Sequence, residues 1–123
     1  MAMFPPVFST LFASTAVKAL LGSAPLRVYA AGEAPQDVAK PYATYQTISG
    51  VPENYLGTLA DMDGYTIQID IYATTLSSVR AVADAIRTAL EDVAYITSLR
   101  EPPRDSPTNN FRYSMDVDYF TTR

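Results

Sequence analysis

Residues 64–90, GYTIQIDIYATTLSSVRAVADAIRTAL, contain the pattern that decides the fold. From Tyr65 to Tyr72 apolar and polar residues alternate, which predicts a strand with one buried face. After Thr74 and Thr75 the apolar residues recur at spacings of three and four, which predicts an amphipathic helix. The predicted buried stripe of this helix consists of Leu76, Val79, Ala83, Ile86, Leu90 and Val93. A strand that leads this directly into a helix forms one compact unit.

The composition excludes several kinds of chemistry. A chain of 123 residues is about one domain, and we expect a single domain over residues 1–123. The absence of Cys and His removes zinc fingers, Cys or His nucleophiles and most transition-metal sites. No nucleophile elbow, phosphate-binding loop or calcium loop appears. The sequence therefore predicts a protein that is not an enzyme, with no catalytic residues, no metal site and no cofactor.

The charge balance bears on possible partners. A formal charge of −4 argues against a protein that binds a nucleic-acid groove, because such binding needs clustered Lys and Arg. Here the 9 basic residues are scattered. The chain has 9 Tyr and no Trp, which is compatible with sheet surfaces that become interfaces, or simply with Tyr-lined strands.

The N-terminal segment, MAMFPPVFSTLFASTAVKALLG, must be weighed as a signal peptide or a membrane span. It has no basic residue at its start, it contains Pro5, Pro6 and Lys18, and its apolar run is short. We expect instead one docked helix over residues 1–22 that ends at Gly22, with no membrane contact. Its predicted apolar side consists of Val7 or Phe8, Leu11, Phe12, Val17, Leu20 and Leu21.

The remaining elements are strands with one further helix. We expect strands at residues 26–30, 42–49, 65–73 and 111–121, and at residues 94–100 either a short strand or a helix-to-strand connection. A connection of about a dozen residues separates the second strand from the third, and residues 101–110, EPPRDSPTNN, predict an exposed proline-rich loop. The closing strand alternates like residues 65–73 and should pair beside it. The predicted class is α+β, a mostly antiparallel sheet with two helices packed on one face, in the order α-β-β-β-α-β-β.

Two groups of charged residues are candidates for a site. Asp70, Asp116 and Asp118 could form a carboxylate cluster for a divalent cation or for acid–base chemistry, but their even spacing along strands favours a solvated outer face. Arg80 and Arg87 are seven residues apart on one side of the predicted helix. They could meet an acidic partner surface, or they could form a solvated face together with an intervening aspartate.

Over most of the chain, the order of predicted elements is similar to that of a known protein family. The relevant residues are those of PYATYQTISG, namely Pro41, Tyr42, Tyr45, Gln46, Ser49 and Gly50, then Gln68, Asp70 and Tyr72, then Val82, Ala83, Ala85, Ile86 and Leu90. With an N-terminal helix before them and an alternating strand after them, they resemble the tail-completion, or tail-terminator, proteins of long-tailed bacteriophages.

The resemblance implies a virion protein of the tail or neck, assembled in the host cytoplasm. Such a protein forms a ring, typically a hexamer, that caps the head-proximal end of the tail tube, ends tube polymerisation and joins tail to head. Its implied partners are copies of itself, the tail tube protein and head-completion or connector proteins. DNA passes through the lumen without specific binding, and we expect acidic residues to line that lumen. The candidate interface residues are Tyr55, Leu56, Gln68, Asp70, Tyr72, Arg80, Arg87, Arg104, Asp116 and Asp118.

Other interpretations remain open at this point. The chain could be another neck component, such as an adaptor or stopper between portal and tail. It could also be a small ligand-binding or regulatory domain of ferredoxin-like build. A hydrolase that uses carboxylates is a further alternative, which the missing catalytic motifs disfavour.

Overall fold

The structure, a computed structural model, describes residues 6–53, 62–102 and 110–122. The sequence reasoning on residues 1–5, 54–61 and 103–109 lies outside these ranges. The elements, in chain order, are α1 Val7–Phe12, α2 Thr15–Leu21, β1 Val28–Ala30, β2 Tyr42–Glu53, β3 Met62–Ala73, α3 Leu76–Leu90, β4 Ala94–Arg100 and β5 Phe111–Thr122.

The strands form one five-stranded sheet in the order β1-β2-β3-β5-β4. All neighbours are antiparallel except β1 and β2, which are parallel. β3 pairs with β5 over its whole length, from Met62 opposite Thr122 to Ala73 opposite Phe111. The predicted α+β class and the predicted position of the closing strand beside β3 are confirmed.

The helices cover one face of the sheet and enclose the core. Ile67, Ile69 and Ile71 of β3 are buried, as the alternation predicted, and they belong to one cluster with Met115 and Val117 of β5. α3 supplies the largest helical share, through Val79, Val82, Ala83, Ala85, Ile86 and Leu90. The helix begins sharply because the Thr75 hydroxyl accepts a hydrogen bond of 3.1 Å from the Ser78 backbone N–H.

The predicted buried stripe of α3 is wrong at both ends, because Leu76 and Val93 are exposed. Leu76 is the first helical residue and Val93 follows the end of the helix at Leu90, so neither lies over the sheet. Val82 and Ala85 are buried in addition to the predicted stripe. The buried stripe is therefore wider and shorter than the three-and-four spacing alone indicates.

The N-terminal segment forms two helices where the sequence predicts one. The chain breaks at Ser14, whose extended backbone and side-chain oxygen cap α2 through a 3.3 Å hydrogen bond from the Val17 N–H. The break orients Val7, Leu11, Val17 and Leu21 all toward the core. Of the alternatives Val7 and Phe8, it is Val7 that is buried. Phe8 and Phe12 are exposed and stack on each other, so the assignment of Phe12 to the apolar side is wrong. The observed order is α-α-β-β-β-α-β-β.

β2 and β3 are longer than predicted, which shortens their connection to residues 54–61. The sequence interpretation ended β2 at Ser49 because Gly50 and Pro52 follow. In the sheet, the register shifts between Thr47 and Ser49 and the pairing then continues to Glu53 opposite Met62. Proline is tolerated here because β1 pairs only with residues 43–45, so the rest of β2 is an edge strand.

Within the described ranges, the longest helix is α3 with 15 residues, and none of the helices has the length and apolar character that crossing a bilayer requires.

Candidate functional site

The face of the sheet opposite the helices is the candidate site. Because β3 and β5 bury every second side chain against the helices, the intervening side chains point to the other side. The resulting polar face has its centre in four cross-strand pairs, namely Thr66 with Asp118, Gln68 with Asp116, Asp70 with Ser114 and Tyr72 with Arg112. In the described ranges no helix packs on this polar face.

Asp70 is the centre of a hydrogen-bond network on the polar face. It accepts a hydrogen bond from the hydroxyl of Ser114, which is fully buried, and another of 3.1 Å from Gln68 Nε2. Arg112 Nε lies 3.8 Å from Asp70 Oδ1, an ion-pair distance too long for a hydrogen bond. The Asp70 side chain is only 13% exposed. The carboxylate is thus held in one orientation by its neighbours.

A second carboxylate on the polar face is paired with an arginine from the adjacent edge strand. Arg100 of β4 donates to both oxygens of Asp116, at 3.0 and 3.1 Å, and also to Ser98 Oγ at 2.7 Å. This bidentate geometry fixes the guanidinium plane. The hydrogen bond to Asp116 raises the pKa of Arg100. Asp118 accepts a 2.9 Å hydrogen bond from Thr66 Oγ1.

Tyr42 and Tyr72 form an aromatic patch at one end of the polar face. They lie opposite each other on β2 and β3, and their rings stack with centroids 5.0 Å apart. Burial raises the pKa of Tyr42. Burial is also the main reason that the pKa of Tyr72 is raised, with the negative charge of Asp70 as a second cause. Both rings therefore remain neutral at physiological pH and can pack against a partner.

The carboxylates of the polar face are engaged by other side chains. Each of Asp70, Asp116 and Asp118 has its own N–H or O–H donor, and among the described residues no group of three or more acidic side chains could hold a metal ion. Two arginines, Arg100 and Arg112, balance two of the three carboxylates. What the face presents is a set of fixed hydrogen-bond acceptors and donors with two aromatic rings beside them.

Arg80 and Arg87 lie on the helix side of the sheet, away from the polar face. Arg80 Nε donates to Glu101 Oε1 at 2.6 Å, and Arg87 Nε lies 3.3 Å from Glu91 Oε1. Both side chains line a shallow groove of about 210 Å³ between α3 and the β4 edge, together with Asp84, Leu99 and Tyr113. Both arginines are exposed, and the ion-pair partners that the structure gives them are glutamates rather than the intervening Asp84.

The structure brings together five of the ten predicted interface residues, namely Gln68, Asp70, Tyr72, Asp116 and Asp118, on one face. Tyr55, Leu56 and Arg104 lie outside the described residues. The sequence-based selection omitted Arg100, Arg112 and Ser114, although the alternation of the closing strand already places Arg112 and Ser114 on the same side as Asp116.

The sheet thus has one helix-covered face and one face of fixed polar pairs. Residues 5–121 match the model of a family described as "Tail completion protein gp17". The chain therefore belongs to the tail completion protein family, which confirms the resemblance found in the sequence.

A solved structure supports the fold. A chain in the structure described as "Virion of native gene transfer agent (GTA) particle" superposes with a TM-score of 0.75 at 16% identity, covering 95% of this chain and 92% of that one. At this identity the likeness establishes the fold alone. No curated protein sequence matches the chain.

Family membership establishes the general role of the protein. The protein is a structural component of a phage tail or neck, and as such it associates with other tail or neck proteins. The members of this family are structural proteins, and the family is not known for enzymes.

Proposed function

We propose that the protein forms a ring on the head-proximal end of the tail tube, ends tube polymerisation there and provides the surface that joins the tail to the filled head. The ring consists of identical subunits, and the family resemblance implies six of them. Its partners are the tail tube protein and the connector proteins of the head. DNA crosses the lumen without specific binding.

The main support for this proposal is the preorganised polar face. The chain that presents it belongs to the tail completion family. The charged side chains of this face are already fixed by neighbouring side chains: Arg100 and Asp116 hold each other, and Ser114 holds Asp70. Side chains that are ordered before binding lose little entropy on association, so such a face suits a permanent contact in an assembled particle. That a protein of the same fold is part of a virion particle agrees with this role.

The charge of the polar face also suits a protein through which DNA moves. Both of its arginines lie beside carboxylates, and Asp118 adds a negative charge without an arginine. A surface whose cations are already engaged gains little from phosphate contacts, because affinity for DNA comes from free Lys and Arg that displace counterions. The subunit as a whole has a formal charge of −4, so we expect DNA that passes through the ring to slide along the lumen rather than to bind it.

Electron microscopy of particles that lack the protein tests the proposal. Loss of a terminator leaves tube growth unchecked, so the tail-length distribution should broaden toward overlong tubes. Tubes of normal length beside heads that have lost their DNA would contradict termination and would indicate a stopper or adaptor.

Complementation then tests the polar face. Asp116→Lys reverses the charge that Arg100 engages, so a folded Asp116→Lys subunit should fail to restore normal tails. Asp84→Lys makes the same change of charge at an exposed position of α3 and should restore them. Circular dichroism of both variants confirms that each is folded. Equal rescue by the two variants would exclude the polar face as a contact surface.

A further inference from the structure

We infer that neighbouring subunits join through the two edges of the sheet, with β4 of one subunit packed along the outer side of β2 of the next. The inference rests on the proposed ring and specifies the contact that closes it. Three features of the described residues support it: the character of the β4 edge, the uncovered half of β2 and the position of the two edges at opposite ends of one sheet.

β4 has neither the proline nor the lysine that protects many edge strands, and its one irregularity is a register shift between Ile96 and Ser98. Monomeric proteins guard their sheet edges with proline, lysine or inward-pointing charges, because an edge offers backbone N–H and C=O groups to another chain. Residues 94–100, AYITSLR, contain no proline or lysine, and the single charge is at the end. Tyr95 is 69% exposed and Leu99 is 40% exposed. An edge with large exposed side chains is suited to a partner.

The opposite edge of the sheet offers a matching recess. β1 pairs only with residues 43–45 of β2, so among the described residues no strand lies along the outer side of residues 46–53. Ile48, at the register shift in this stretch, is 48% exposed. Beside it opens a cleft of about 470 Å³ whose lining includes Val7, Tyr45 and Ile67. By its volume the cleft can accommodate an apolar side chain of the size of leucine.

The two edges differ from each other and lie at opposite ends of the strand order, which is the arrangement that a ring requires. A contact between two different patches propagates from subunit to subunit and closes into a ring if the rotation allows it, whereas β4 against β4 would end at a dimer. The lengths agree, since β4 has seven residues and the uncovered part of β2 has eight. Each edge contains a register shift, so backbone pairing is limited to short runs and the apolar side chains supply the rest of the contact.

Cross-linking tests the contact directly, because the chain contains no Cys. The double variant Thr97→Cys with Ile48→Cys places one thiol on each edge. A short bismaleimide should then link successive subunits, in purified rings and in assembled tails, and denaturing gels should show a ladder up to the full ring. Each single-Cys variant should stop at the monomer. Rings that assemble but give no ladder would overturn the edge contact and leave the ring standing, whereas a dimer from Thr97→Cys alone would show β4 against β4.

Charge placed on either edge provides a second test, read by native mass spectrometry of the purified subunit. Tyr95→Lys and Ile48→Lys should each abolish the ring and leave the monomer. Leu76→Lys is the control, because Leu76 is similarly exposed at 37% but is the first residue of α3, on neither edge strand and outside the lining of the cleft. Rings retained by both edge variants would contradict the inference. Wild-type protein that forms no ring, either alone or on tail tubes, would overturn the proposed ring itself.

Discussion

Ser114 lies directly opposite Asp70 on the two central strands of the sheet, and its hydroxyl donates a hydrogen bond to the Asp70 carboxylate. Ser114 is fully buried although it belongs to the polar face, because β3 and β4 flank it on either side. The bond therefore joins the strands that form the centre of the fold and also fixes the carboxylate at the centre of the candidate site. Stability and surface geometry depend on the same pair.

Removing this hydroxyl should destabilise the subunit measurably. Ser114→Ala deprives a nearly buried carboxylate of a donor, and hydrogen bonds to charged groups contribute about 1.5–3 kcal/mol. We expect a loss in that range in the free energy of unfolding, measured with urea. Ser98→Ala, which removes the acceptor of a hydrogen bond from the exposed Arg100, should cost about 0.5 kcal/mol. Equal losses in the two variants would show that the Ser114 bond contributes no more than a surface bond.

A charge placed in the buried stripe of α3 tests whether that stripe belongs to the core. Ile86 is fully buried under the sheet. Ile86→Asp places an unpaired charge there at a cost of several kcal/mol, comparable to the whole stability of a small domain, so the subunit should not fold. Thr88→Asp changes an exposed position of the same helix and should stay within about 0.5 kcal/mol of wild type. Circular dichroism and solubility distinguish the two. A soluble and folded Ile86→Asp protein would show that the stripe is wrongly assigned.

The parts of the fold that the sequence predicts are those that depend on local periodicity. The alternation in β3 and β5 and the spacing in α3 are properties of single segments, and they place Ile67, Met115 and Ile86 in the core correctly. The break at Ser14 and the extension of β2 past Gly50 depend on what other segments supply, namely a core that both short helices must reach and a partner strand that continues to Met62. Propensity alone cannot decide such cases.

The same limit applies to the candidate site. Period-two alternation predicts that Asp116 and Asp118 share a face with Ser114 and Arg112, and the structure agrees. It does not predict that Arg100, from a different strand, pairs with Asp116, because the order β3-β5-β4 follows only from tertiary pairing. Sequence patterns thus identify which residues of one strand share a face. Side-chain pairs between different strands can be identified only from the folded structure.

Two glycines with positive φ should respond differently to alanine. Gly22, at the end of α2, has φ 84° and ψ 168°, a region that residues with a Cβ avoid. A Cβ there would lie 3.1 Å from the Pro25 carbonyl oxygen and 3.0 Å from Arg27 Nη1. Gly32 has φ 87°, and a Cβ at this position would meet no atom of the described residues within 4 Å, apart from its own chain neighbours.

For Gly32→Ala we expect a loss of about 1 kcal/mol from the backbone alone, and for Gly22→Ala roughly 2–3 kcal/mol because crowding is added. Urea unfolding measures both. Arg27 is anchored to the carbonyl oxygens of Pro41 and Leu20, so it cannot move aside without losing those bonds. A smaller loss at Gly22 than at Gly32 would contradict the crowding argument.

The ion pair between Arg80 and Glu101 predicts a dependence of stability on pH. The hydrogen bond from Arg80 lowers the pKa of Glu101. A carboxyl whose pKa is lower in the folded state stabilises that state above its unfolded pKa, about 4.3, and the contribution is lost as the pH falls through the folded value. A double-mutant cycle with Arg80→Gln and Glu101→Gln isolates the contribution from other effects of each change. The coupling should be small, because both side chains are exposed, and it should weaken further in high salt. It should be measurable at about pH 7 and smaller at about pH 2, because protonation of Glu101 removes the charge that Arg80 pairs with. A coupling of the same size at both pH values would show that the charge of Glu101 is not its source.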